Sequence, residues 1–120
     1  STRKESSAAS DVYKRQDREL EDEMAKLLLY LQQGVVLGDY AEALHIPERK
    51  LSVFINSTYG VSFKRWVNNK RVEYATEQMA KHPDYTMERI AELSGFAHKS
   101  HFCKIFREIT GGSFTEYKNR

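Results

Sequence analysis

Lys99, Ser100, Cys103, Lys104 and Arg107 lie in one short stretch of this 120-residue chain, at spacings that place them on one side of a helix. Phe102, Ile105, Phe106 and Ile109 recur on the other side, the apolar stripe such a helix would bury. Short polar and cationic side chains on an exposed helix face suit the base edges and phosphates of a DNA groove. A rival chemistry is metal binding, because His98, His101 and Cys103 are zinc-ligand types. At about 100° per residue, however, Cys103 points roughly 140° or more away from the side shared by the two histidines, so no metal site is expected. The chain shows no glycine-rich phosphate loop, no nucleophile beside a base and no paired carboxylates in an evident cleft. Neither an enzyme, a catalytic residue nor a cofactor is therefore expected.

The element that positions these groups runs from Ile90 to Gly111, IAELSGFAHKSHFCKIFREITG. Its first half reads as a helix ending near Ser94, where Gly95 supplies the left-handed residue that closes a helix. The second half is the striped helix above. Helix, glycine turn, helix outlines a helix-turn-helix, although an ordinary α-hairpin would share the pattern.

Upstream, Ser1 to Gln16 is polar and aperiodic and reads as a flexible tail or linker. Asp17 is a candidate N-cap for a helix carrying Leu20, Met24, Leu27, Leu28 and Leu31 on one face and stopping near Gly34. A short helix from Gly38 to Leu44 follows, with Tyr40, Ala41 and Leu44 inward. His45-Ile46-Pro47 makes the turn into a helix from Glu48 to Tyr59, closed by Gly60. This is a second helix-turn-helix pattern.

Between the two, Ser62 to His82 reads as one helix of about 20 residues, near 30 Å long at about 1.5 Å per residue. Phe63, Trp66, Val67 and Tyr74 occupy one side of it, and Val72, Ala75 and Met79 another. Two apolar faces predict a helix that packs against a different lobe at each end. Thr86 is a candidate N-cap after the Pro83-Asp84-Tyr85 turn, and Ser113 caps a last short helix bearing Phe114 and Tyr117.

Displacing the chain against itself by 51 positions superposes Leu51 on Phe102, Ile55 on Phe106, Gly60 on Gly111, Ser62 on Ser113, Phe63 on Phe114 and Trp66 on Tyr117. Tyr40-Ala41 matches Ile90-Ala91 with a slip of one residue, placed inside the turn. The chain is an internal duplication. Major-groove segments on one face of B-DNA recur about every 34 Å, so a helix near 30 Å long is a suitable strut between two recognition helices.

Net charge is +2, but residues 1–60 balance at −2 and residues 61–120 at +4, a basic excess on the half bearing the first-described stretch. One cysteine forbids an internal disulfide and fits a reducing cytoplasm. No apolar run approaches the roughly 18 residues of a membrane span.

Taken together, Ser62-Phe63, Arg71 and Ala75, followed by Ile90-Ala91-x3-Gly95-Phe96-x3-Ser100-x-Phe102-x3-Phe106-x4-Gly111-x-Ser113, resemble the DNA-binding domain of the AraC/XylS family of bacterial transcription regulators. The resemblance covers about residues 20–118. It implies an all-α fold of about seven helices, two helix-turn-helix lobes joined by the long linker helix, and sequence-specific binding of double-stranded DNA in successive major-groove segments. The domains would be a 1–16 tail, a first lobe at 17–61, a linker helix at 62–82 and a second lobe at 83–120.

By the same resemblance, base contacts come from Arg49, Ser52 and Val53 in the first lobe and from Lys99, Ser100, Cys103 and Lys104 in the second. Asn56, Thr86 and Arg107 contact phosphates, and Arg71 is structural, expected in an ion pair with a carboxylate of the domain. Three departures stand out. Val53 replaces a frequent Arg, Glu48 adds a negative charge at the start of its helix, and Phe114 replaces a Pro, a change expected to alter only the last helix. The first two shift sequence reading toward the second lobe, or leave Val53 to read a thymine methyl. The resemblance further implies the cytoplasmic output domain of a longer sensor-regulator, with RNA polymerase and, through an upstream domain, a second copy as partners. A stand-alone small regulator and a helical interaction module using the leucine face near Leu27 are the alternatives.

Overall fold

The computed structural model describes residues 17–119, and the 1–16 segment read as a tail lies outside them. The described residues are helical without strands: α1 over residues 17–26, a 3₁₀ turn at Leu29–Leu31, α2 Leu37–Leu44, α3 Glu48–Tyr59, α4 Phe63–Lys81, α5 Met87–Leu93, α6 Lys99–Thr110 and α7 Phe114–Lys118. The expected architecture of two helix-turn-helix lobes on a long helix is the observed one.

The caps read from sequence set the helix starts. The hydroxyls of Ser62, Thr86 and Ser113 accept from the backbone N–H three residues on, which relieves an unpaired donor at each helix start. Gly60 and Gly111, at φ +70° and +81°, close α3 and α6 in the left-handed conformation.

The two sides of α4 divide as their sequence predicts. Trp66 and Val67 lie in one core with Met24, Tyr40, Leu51 and Ile55, with Phe63 and Tyr74 packed against it. Val72 and Ala75 lie in a second core with Ile90, Phe96, Phe102 and Phe106, with Met79 against it. Each end of α4 therefore buries its own apolar face, and the helix is the strut between two small cores.

The leading segment departs from expectation. It is not one helix to Gly34: α1 stops at residue 26, Asp17 is already inside it, and Leu28 is 56% exposed rather than inward. The reason lies in carbonyl groups a continuous helix would have kept. Tyr40 Oη donates to the Leu27 carbonyl (3.4 Å), Arg71 Nε to that of Tyr30 (2.7 Å) and Arg71 Nη2 to that of Gln32 (3.0 Å). Side chains distant in sequence take acceptors that the helix ladder would otherwise need.

Arg71 is structural, as expected, but its partners are these carbonyls and not a carboxylate. It is buried, its guanidinium lies 5.4 Å from the centre of the Phe96 ring, and desolvation lowers its pKa. It ties the 3₁₀ turn of the first lobe to the turn of the second. Gly95 completes that seam: at φ +89° it backs onto the Tyr30 and Leu31 backbone so closely that a Cβ would stand 2.8 Å from the Tyr30 oxygen.

Candidate nucleic-acid interface

The two helix-turn-helix units are built alike to the level of single hydrogen bonds. Both second helices, α3 and α6, are 12 residues long and start 51 positions apart. Each is closed by glycine, Gly60 N–H donating to the Asn56 carbonyl and Gly111 N–H to that of Arg107. Their first helices end in one pairing: Ile46 to Ala41 and His45 to Glu42 in α2, Phe96 to Ala91 and Gly95 to Glu92 in α5. This is the Schellman arrangement, with the left-handed residue at His45 (φ +58°) in one unit and Gly95 in the other. Up to Phe96 the offset is 50; from the caps Pro47 and His98 onward it is 51. The slip does fall inside the turn, and Ala97 is the additional residue.

The duplication pairs the candidate contact residues. Arg49 corresponds to Ser100, Ser52 to Cys103, Val53 to Lys104 and Asn56 to Arg107. On α3, Arg49, Val53 and Asn56 are exposed and Ser52 half-buried, while Leu51, Phe54 and Ile55 hold the helix to the core. On α6, Lys99, Ser100, Lys104 and Arg107 are exposed above the buried Phe102, Ile105 and Phe106. Each second helix thus presents one polar face outward. Val53, 61% exposed, has no core role and is free to meet a partner.

Several of these side chains have local partners. Asn56 Nδ2 donates to the Ser52 carbonyl (2.9 Å), and Thr86 Oγ1 accepts from the Arg89 N–H (3.2 Å). Cys103 is half-buried, its thiol 3.1 Å from the Met87 sulfur and packed against the second core. Lys99 Nζ donates to Glu88 Oε1 at 2.8 Å. That hydrogen bond holds the Glu88 carboxyl below its usual pKa and the Lys99 ammonium above. Both groups are more than half exposed, so water screens the pair and a competing anion can displace Glu88. Sequence reading missed Glu88, because no periodicity links residues on two helices joined by a turn.

His101 packs edge-on to the Phe96 ring at 5.6 Å. Burial first, then the charges of Lys64, Arg71 and Lys104, lower its pKa and favour the neutral imidazole. Beside α6, a depression of about 580 Å³ runs to α7, with Met87, Cys103 and Phe114 in its lining and Lys104 and Arg107 contributing cations. Phe114 is not confined to the last helix, as its replacement of a proline had suggested. It is buried, 5.9 Å from the Phe102 ring and 6.0 Å from the Phe106 ring, because an aromatic side chain at this position reaches the underside of α6.

Comparison with known proteins agrees with this geometry. A family model described as a helix-turn-helix domain matches residues 40–120. The regulatory protein PocR of Salmonella typhimurium is 32% identical over 92 residues, covering 73% of this chain and 30% of PocR; the chain spans under a third of the length of the curated relatives it matches. The C-terminal domain of AraT, a response regulator from Geobacillus stearothermophilus, superposes with a TM-score of 0.73 at 25% identity, covering 86% of this chain and 83% of that domain. The DNA-binding domain of the global transcriptional factor AdpA, solved with a target DNA, shares the fold with a TM-score of 0.71 at 22% identity, covering 83% of this chain and 89% of that one.

Proposed function

Since this chain belongs to the AraC-type helix-turn-helix family of transcription regulators, we propose that it reads a bipartite site on double-stranded DNA, with α3 and α6 in successive major-groove segments. The observation that carries this reading is the pair of equal second helices, capped alike and held on one rod, each turning a polar face outward. Base edges would be read by Arg49, Ser52 and Val53 from α3, and by Lys99, Ser100, Cys103 and Lys104 from α6. Asn56, Thr86 and Arg107 would fix the backbone, through side chains that donate to phosphate oxygens. Lys104 at the position equivalent to Val53 makes α6 the more polar reader, and leaves α3 an apolar contact suited to a thymine methyl.

The domain acts as the output end of a longer regulator, since its relatives are more than three times its matched length. RNA polymerase and a second copy joined through another domain are the partners such a regulator would engage, in the cytoplasm. No helix among the described residues is long and apolar enough to cross a membrane.

Selection of sites from random duplexes, followed by footprinting and gel shifts across a salt series, tests the reading. Two protected patches about 10 base pairs apart, with affinity falling steeply as salt rises, are expected. A single patch would remove one of the two heads. Affinity indifferent to salt would favour the interaction module instead.

A further inference from the structure

Residues 34–37, one side of α4 and the start of α6 form a solvent-open cleft of about 330 Å³ between the lobes. Its apolar lining is Val35, Val36, Leu37, Phe63 and Val67, with Val36 58% exposed. Its charged or strongly polar groups are Lys64, Asn68, Arg71 and His101, and no carboxylate lines it. Lys64, Asn68 and Arg71 stand at i, i+4 and i+7 on α4, so they form one donor stripe along the helix.

Asn68 is the telling residue. It is only 7% exposed, it lines the cleft, and its carboxamide has no hydrogen-bond partner among the described residues. The buried side-chain atoms without a partner among the described residues are Trp66 Nε1 and Ser94 Oγ, so the Asn68 carboxamide reaches the solvent of the cleft and is open to a ligand there. Lys64, beside it, forms no ion pair among the described residues. A carboxamide open to the cleft, an exposed ammonium without an ion pair and a guanidinium that keeps Nη1 uncommitted line one cleft with apolar walls, a seat suited to an anion that carries a hydrocarbon body.

We propose that this cleft binds a small amphipathic carboxylate, with its anionic head among Lys64, Asn68 and Arg71 and its apolar body against Phe63, Val67 and Val36. The volume lies at the lower end of small-molecule sites, which run from about 300 to 1,000 Å³. A DNA phosphate offers the same anionic oxygens but brings a hydrophilic sugar, which leaves the apolar walls unused. This inference goes beyond the DNA-binding reading and does not rest on it. An occupant would touch both the entrance to α2 and the start of α6.

Nuclear magnetic resonance titration of the full chain tests the proposal, with cyclohexanecarboxylate as probe and its uncharged carboxamide as control. The carboxylate is expected to shift the Asn68 side-chain amide and the His101 ring resonances saturably, and the carboxamide to leave them in place. Lys64→Gln should weaken the carboxylate about three- to tenfold. Asn68→Asp, nearly the same shape but placing a negative charge at the head position, should weaken it about tenfold or more, with an unchanged melting curve confirming the fold. Equal response to the carboxamide would overturn anion recognition. Shifts produced by duplex DNA and not by the carboxylate would make the cleft a phosphate seat, and would overturn the small-molecule assignment.

Discussion

Replacing Gly95 by alanine should destabilise this domain far more than the same change at Gly111, although both glycines have positive φ, +89° and +81°. An L-residue in that region costs about 1–2 kcal/mol at either site. The sites differ in what the new methyl meets. At Gly111 nothing lies within 4 Å, whereas at Gly95 the Cβ would stand 2.8 Å from the Tyr30 oxygen and 2.9 Å from the Leu31 carbonyl carbon and oxygen. These are backbone atoms, so relief requires the 3₁₀ turn to move, and the Tyr30 carbonyl is also the acceptor for Arg71 Nε. Overpacking of this kind adds about 1–3 kcal/mol. The expected loss is therefore about 2–5 kcal/mol for Gly95→Ala and about 1–2 kcal/mol for Gly111→Ala, against a total stability of order 5–15 kcal/mol. Urea unfolding followed by circular dichroism, with equal m-values required, measures both. Matching midpoints for the two variants would refute the seam between the lobes described above.

Three further outcomes are expected. His45→Gly should stabilise by about 0.5–1 kcal/mol, since His45 sits at φ +58° and the strain relieved exceeds the extra unfolded-state freedom of glycine; an unchanged or lower urea midpoint would count against a left-handed closure of α2. Arg71→Met should cost about 2–4 kcal/mol by leaving the Tyr30 and Gln32 carbonyls unpaired, and that cost should stay constant as pH falls from about 6 to 3. A carboxylate partner would have a depressed pKa and its contribution would be lost in acid, so a cost that shrinks toward low pH would disprove the carbonyl assignment. Lys104→Ala should relax preference at particular base positions, whereas Arg107→Ala should weaken all sequences alike and flatten the salt slope by about one; identical base-preference profiles for Lys104→Ala and wild type would remove that side chain from readout.

Much of this architecture is legible without coordinates, because it rests on short-range physics. Apolar residues at helical spacing mark which side of α3 and α6 is buried, and the hydroxyls of Ser62, Thr86 and Ser113 mark where helices begin. Glycines at 60, 95 and 111 mark where they end, and the displacement by 51 exposes the duplication. Even the two faces of α4 follow from residue order. The DNA-facing candidates inherit this legibility: once Phe102, Ile105 and Phe106 are inward, Ser100, Lys104 and Arg107 must be outward.

Tertiary structure decided what depends on partners far along the chain. Leu27 to Leu31 has the composition of a continuing helix, yet Tyr40 and Arg71 capture its carbonyls, and Leu28 turns to solvent. Arg71 suggested an ion pair by its charge, but it found two carbonyls roughly forty residues away and the Phe96 ring. Cys103, read as an outward polar residue, is half covered by Met87, and Phe114 supports α6 rather than the terminal helix alone. Periodicity and caps are fixed within one or two helical turns, so residue order specifies them. Which acceptor a buried guanidinium reaches, and which backbone a glycine must clear, are settled only when the two lobes close on α4.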